Sequence, residues 1–163
     1  MRDDTALANA LFKACNEWIK QHGGKMHKLT YTAYQKDGIF GNFTFDGDTK
    51  PFCDTLSHAY PNGGIYQPIV MPRNLPYLCV FGQHLLKNGE QIQTFEITGV
   101  EGHKGLLFHP LNFNYQSDGC TGVGKNIVPY DTLGDEMLTN SRATFAAWLA
   151  ELAGVNEFWL KVS

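Results

Sequence analysis

The chain has 163 residues, the usual size of one domain, with 43% hydrophobic and 18% charged residues. Eleven Phe, seven Tyr and three Trp argue against disorder, because rings bury large apolar areas. A net charge of −3 supplies no broad basic field to draw in nucleic acid or an anionic membrane, so neither is an expected partner.

Residues 1–24 read as an N-terminal helical extension. Leu7, Leu11, Phe12, Cys15, Trp18 and Ile19 mark one apolar stripe, Asp3, Asp4 and Thr5 suit a helix start, and Gly23-Gly24 stops it. Met1-Arg2-Asp3-Asp4 leads into no apolar signal core, and no uncharged run approaches the ~20 residues that cross a bilayer. The expectation is a chain made in the cytoplasm, with no signal peptide and no stable membrane insertion. Cys15, Cys53, Cys79 and Cys120 form no CxxC pair and read as reduced thiols, three of them as core filler.

Residues 28–163 read as a β-rich domain. Leu29 to Tyr34 is rich in strand formers and turns at Lys36-Asp37-Gly38 into a second strand, Ile39 to Phe45. Further short strands are expected over Phe52–Leu56, Gly64–Val70, Tyr77–Phe81, Gln91–Ile97 and Gly105–His109, with turns at Asn62-Gly63-Gly64 and Asn88-Gly89. Residues 110–139 show little sustained period and read as a long irregular segment of the kind that carries function. Asn140-Ser141 caps a helix bearing Phe145, Trp148, Leu149 and Leu152, which ends at Gly154, and Phe158-Trp159-Leu160 returns as a last strand. The fold class expected is α+β, mainly β: a small antiparallel sandwich or barrel with one N-terminal and one C-terminal helix.

The chemistry concentrates in Leu106–Asn112 and Ser117–Gly124. An apolar strand delivers His109, and eleven residues later Cys120 stands among Asp118, Gly119, Thr121 and Gly122. A cysteine nucleophile needs a base that favours the thiolate and backbone amides aimed at the developing oxyanion. His109 suits the first role and the amides around Gly119 and Cys120 the second, with Asp118 or Asn112 to orient the imidazole. Such a thiol is expected to titrate well below the ~8.5 of an unperturbed cysteine. An inert Cys120 in a glycine-shaped turn is the plain alternative.

Two other readings compete. Gly119–Asn126 approaches the phosphate-binding GxxxxGK[ST] pattern but ends in Asn126, with no apolar strand before it and no helix pattern after it. His84, His103 and His109 with Asp118 or Cys120 are candidate zinc ligands, although their spacing does not demand it. His22, His27 and His58 lie near turns or helix ends and read as solvated surface groups.

The ordered set Cys53-Asp-Thr-Leu56, His109-Pro-Leu-Asn112, Ser117-Asp-Gly-Cys120-Thr-Gly-Val-Gly124 and Asn140-Ser-Arg-Ala143 resembles the phage and bacterial family of unknown function DUF5675, over about residues 28–154. The His…Ser-x-Gly-Cys arrangement is similar, more distantly, to the catalytic motif of the L,D-transpeptidase (YkuD-like) fold. Asp118 stands where that motif has a second His, and no Arg follows Cys120. The resemblance implies an L,D-transpeptidase-like domain acting on peptidoglycan stem peptides without a cofactor. Cys120 is then the nucleophile, His109 the base, and Ser117 and Gly119 the loop frame. The function expected is an endolysin-like, cysteine-dependent peptidoglycan peptidase of bacteriophage type, acting in the cell wall after release. The alternatives are a non-catalytic wall-binding or virion structural module of the same fold, and a zinc-dependent peptidoglycan hydrolase.

Overall fold

Alternation of side chains builds the wall of the fold. In β1 (Met26–Gln35) His27, Leu29 and Tyr31 are buried while Lys28 and Thr32 are exposed, and in β12 (Glu157–Val162) Phe158, Leu160 and Val162 are buried. The computed structural model describes residues 4–22 and 24–163.

Between these strands in sequence come β2 (Gly38–Thr44), β3 (Cys53–Ser57), a small hairpin of β4 (Tyr60–Asn62) and β5 (Ile65–Gln67), then β6 (Tyr77–Leu85), β7 (Gln91–Ile97) and β8 (Phe108–His109). Then follow β9 (Thr121–Gly124), a hairpin of β10 (Ile127–Pro129) and β11 (Glu136–Leu138), and helix α2 (Ser141–Glu151). Eight strands form one sheet in the order β7-β6-β12-β1-β2-β3-β9-β8. Its two edges nearly meet. Glu96 and Leu107 form an antiparallel bridge, the Ile97 N–H donates to the Leu106 carbonyl at 2.7 Å, and Thr94 Oγ1 donates to the Phe108 carbonyl at 2.6 Å. Closure of this kind removes exposed strand edges. The expectation of an antiparallel sheet needs amending at two places: β1 pairs with β12, and β8 with β9, in parallel.

Helix α2 presents Ser141, Thr144, Phe145 and Trp148 on its buried face. Trp148 is fully buried, with its ring 4.8 Å from Phe108, 5.5 Å from Phe43, 5.9 Å from Phe95 and 6.4 Å from Phe158, centroid to centroid. Those rings come from β8, β2, β7 and β12, so one indole gathers strands from around the whole sheet. Burying such a ring is worth roughly 3 kcal/mol or more. Asn140 precedes the helix with φ 52° and makes no side-chain cap bond, so the cap expected of Asn140-Ser141 is made by conformation alone.

The segment 110–139, expected to be irregular, is largely structured. A short 3-10 turn over Asn114–Gln116 leads to β9, an internal strand between β3 and β8. Outside the sheet, Leu111 and Leu138 pack with Phe40 and Leu56 as a second apolar cluster, so β2 is covered on both faces. Gly122 and Gly124 make this possible. A Cβ on Gly122 would lie 2.4 Å from Leu111 Cγ, and one on Gly124 2.5 Å from the Thr139 carbonyl oxygen.

Helix α1 spans Asp4–His22. Ile19 in its last turn is buried and the Gly24 N–H returns to the Ile19 carbonyl at 3.1 Å, whereas Leu7 is 63% exposed. Asp3, Gly23 and the side chains of Asp4, Leu11, Phe12 and Trp18, on which the expected stripe and stop partly rest, lie outside the described residues. Among the described residues no helix is long and apolar enough to cross a membrane.

Candidate functional site

Strand parity assigns Cys120 and His109 to one face. Phe108 is paired with Thr121 and points into the interior, so His109 and its partner Gly122 point outward. Cys120, one residue before Thr121, shares that outward face, and the Thr121 N–H extends the ladder by donating to the Leu107 carbonyl at 2.9 Å. Both side chains line a cleft of about 460 Å³, walled by the β6–β7 hairpin, the 103–107 segment, the 116–120 loop and the start of α2. Clefts of this size take small or extended ligands.

The thiol is half-buried and held from below. Cys120 Sγ accepts the Leu107 N–H at 3.3 Å and donates to the Gly105 carbonyl at 3.6 Å. Burial pushes its pKa up; the Leu107 amide, the Ser117 hydroxyl and the charge of Lys87 pull it part of the way back. The thiol below ~8.5 that the sequence suggests is therefore not what this environment makes. Desolvation outweighs the charge of Lys87.

His109 is buried, and desolvation lowers its pKa, opposed by its hydrogen bond to Pro110 and by the charge of Glu90. Its Nδ1 donates to the Pro110 carbonyl at 2.8 Å, which leaves Nε2 as the unprotonated, basic nitrogen. No hydrogen bond joins His109 to Cys120 among the described residues; the two share the cleft as a neutral imidazole and a neutral thiol.

The other residues singled out in the sequence take different places. Asp118 is exposed and forms an ion pair with Lys87, while its carbonyl accepts the Tyr60 hydroxyl. The carboxylate acting on His109 belongs to Glu90. Asn112 ties strand to helix, with Nδ2 donating to the Leu138 carbonyl at 2.7 Å and Oδ1 accepting the Ser141 hydroxyl at 2.9 Å. Ser117 Oγ accepts the Gly119 N–H at 3.2 Å and the Cys120 N–H at 2.8 Å. The two amides suggested for an oxyanion thus hold the loop in shape. Thr121 is buried with its hydroxyl 3.2 Å from that of Ser57, and Gly122 gives room to Leu111.

All four cysteines are free. Cys53 and Cys79 are core residues, and burial raises the Cys53 thiol to about 12. Cys15 is half-exposed on α1 rather than core filler. His27 is not a surface group. It is buried against Phe43, Phe45 and Phe158, its Nδ1 accepts the Asp46 N–H at 2.9 Å, and its pKa falls to about 4 through desolvation. His58 is tied to the 3-10 turn through Nδ1 and the Asn114 carbonyl at 2.7 Å. The side chain of His22 lies outside the described residues. Among the described residues no three His, Cys, Asp or Glu side chains converge as metal ligands, so His84, His103 and His109 do not meet as the zinc alternative requires. Gly119–Asn126 does not form a phosphate loop: Thr121–Gly124 is a sheet strand, followed by the strand Ile127–Pro129 and not a helix.

Glu90, Lys104 and Arg142 also line the cleft and were not singled out by the sequence. The local signals were the Asn88-Gly89 turn, which places Glu90 at the turn end of a hairpin, and the Asn140-Ser-Arg-Ala143 helix start that holds Arg142; their convergence on one cleft is a property of the closed sheet. Comparison with protein-family models, curated proteins and solved structures finds no match to this chain.

Proposed function

We propose that this protein is a cysteine-dependent peptidoglycan peptidase of the phage-lysis type on an L,D-transpeptidase-like domain, related to the DUF5675 family and acting in the wall after release. The observation that carries the reading is the placement of His109, on β8, and Cys120, one residue before the parallel β9, on one face of the sheet, lining one cleft.

Because both groups are neutral at rest, the reaction runs by general-base catalysis rather than from a stored thiolate. Sγ attacks a stem-peptide carbonyl carbon as its proton passes to His109 Nε2, forming a C–S bond and a tetrahedral oxyanion. The intermediate collapses by breaking the C–N bond, and the imidazolium returns its proton to the leaving amine. Water then attacks the thioester, giving its proton to His109, and the carboxylic acid and thiol are released. An amine in place of water gives transpeptidation. Glu90 stabilises the imidazolium formed in each half.

A second reading has one specific observation in its favour. The Asp118–Lys87 ion pair leaves His109 with a carbonyl, not a carboxylate, on Nδ1, as suits a wall-binding or virion structural module that keeps the fold without the chemistry. Mass spectrometry of purified peptidoglycan incubated with wild type and with Cys120→Ala decides between them. New muropeptides with wild type alone are the expected result. No change with either, on walls of several chemotypes, rejects the enzyme.

A further inference from the structure

The charged groups of the cleft do not cancel. Lys87 and Asp118 pair with each other, which leaves Glu90 as the remaining carboxylate lining the cleft. Lys104 and Arg142 line the same cleft, and among the described residues neither forms an ion pair or a side-chain hydrogen bond with the protein. This excess of positive charge stands in a chain of net charge −3. Arg142 is the second residue of α2, where the helix dipole disfavours a cation, so helix stability does not account for it. A guanidinium has five N–H donors in a planar fork that fits a carboxylate with two parallel hydrogen bonds.

We propose that Arg142, assisted by Lys104, forms a carboxylate-binding subsite of the cleft, which holds a free carboxylate of the bound peptide while its carbonyl lies against Cys120. The identity of the ligand as a peptide rests on the peptidase reading; the subsite itself rests on the two unpaired cations in a common cavity. The subsite sets both specificity and register. A peptide bearing a free acid is held by one end, and its amidated counterpart is not.

The test is calorimetric binding to the full chain carrying Cys120→Ala, which removes turnover. The probes are the stem tetrapeptide L-Ala-D-isoGlu-L-Lys-D-Ala and the same peptide with both carboxyls amidated. The free acid is expected to bind about tenfold more tightly, since charge-assisted hydrogen bonds are the strong ones. Arg142→Gln should remove most of the difference, Arg142→Gln with Lys104→Gln should bring the acid down to the level of the amide, and Arg142→Lys should restore part of the difference. Raised salt should narrow the gap. Equal affinities for acid and amide, an Arg142→Gln variant that discriminates as well as wild type, or no binding of either probe each overturns the subsite. Arg142-dependent binding of an acid that the wild type never cleaves keeps the subsite and rejects the peptidase. Cleavage of acid and amide alike by wild type and Arg142→Gln does the reverse.

Discussion

Cys79 and Cys120 are the same residue in two neighbourhoods of one sheet. Cys79 lies on the inner face of β6, paired with Phe158, and burial alone drives its thiol far up. Cys120 stands on the outer face at the mouth of β9, where an amide, a hydroxyl and a lysine work against burial. The interior offers a cysteine only packing. The cleft offers polar partners and a path for a ligand, and that difference marks one thiol as filling and the other as the candidate for chemistry.

The strongest way to break the interior while sparing the cleft residues is Trp148→Ala. Removing the ring that joins four strands should cost about 3–5 kcal/mol in urea or guanidinium unfolding. Loss below about 1 kcal/mol would mean that the aromatic cluster is not the keystone described.

Acid attacks the interior through His27. Its folded pKa of about 4 lies below the ordinary 6.5, so the unfolded chain binds the proton more readily between those values. Stability is full above pH 6.5 and falls as pH drops toward 4, by up to roughly 3 kcal/mol, because the buried site disfavours the charged imidazolium, which also has no lone pair on Nδ1 to accept the Asp46 N–H. In His27→Gln this slope should flatten; an unchanged slope between pH 6.5 and 4 would assign acid sensitivity elsewhere.

Gly124→Ala tests the close approach of β9 to the outer layer. Its Cβ would meet a backbone oxygen, which cannot swing away, so a cost of about 1–3 kcal/mol is expected from thermal or chemical unfolding. The two cysteines complete the series. Cys79→Ala should cost about 1 kcal/mol without specific loss of turnover, while Cys120→Ala should leave the midpoint close to wild type and abolish cleavage. Within this pair, Lys87→Ala should move the pH profile of Cys120 alkylation upward, since it removes the cation that lowers the thiol. A profile that stays put would detach Lys87 from Cys120.

Hairpins were the most legible part of the fold. The Lys36-Asp37-Gly38 turn and the Asn88-Gly89 turn carry their own backbone chemistry, and β7 runs over the residues expected, Gln91–Ile97. β9 was not legible. Thr-Gly-Val-Gly has little strand propensity, and it is a strand because β3 and β8 supply ladders on both sides. His27, flanked by Lys25 and Lys28, reads as a surface group until the three phenylalanines that enclose it are in place. Cys120 and His109 could be picked out because a polar, glycine-rich setting is unusual for a thiol. Glu90, Lys104 and Arg142 come from a hairpin, a loop and a helix, and no local pattern marks their meeting.

The sheet order has a consequence for assembly. β12 is the last of the eight strands to leave the ribosome, yet it sits between β6 and β1, joining Met26 to Trp159 across most of the chain. Until it arrives, the backbone ladder joins the β6–β7 hairpin to the body containing β8 and β9 along the short β7–β8 seam, with side chains such as Trp148 on Phe95 and Lys87 on Asp118 beside it. The cleft has one wall in each piece. The nascent chain therefore carries Cys120 before the sheet behind the pocket is complete, and its completion waits on a pairing of very high contact order, of the kind that forms slowly.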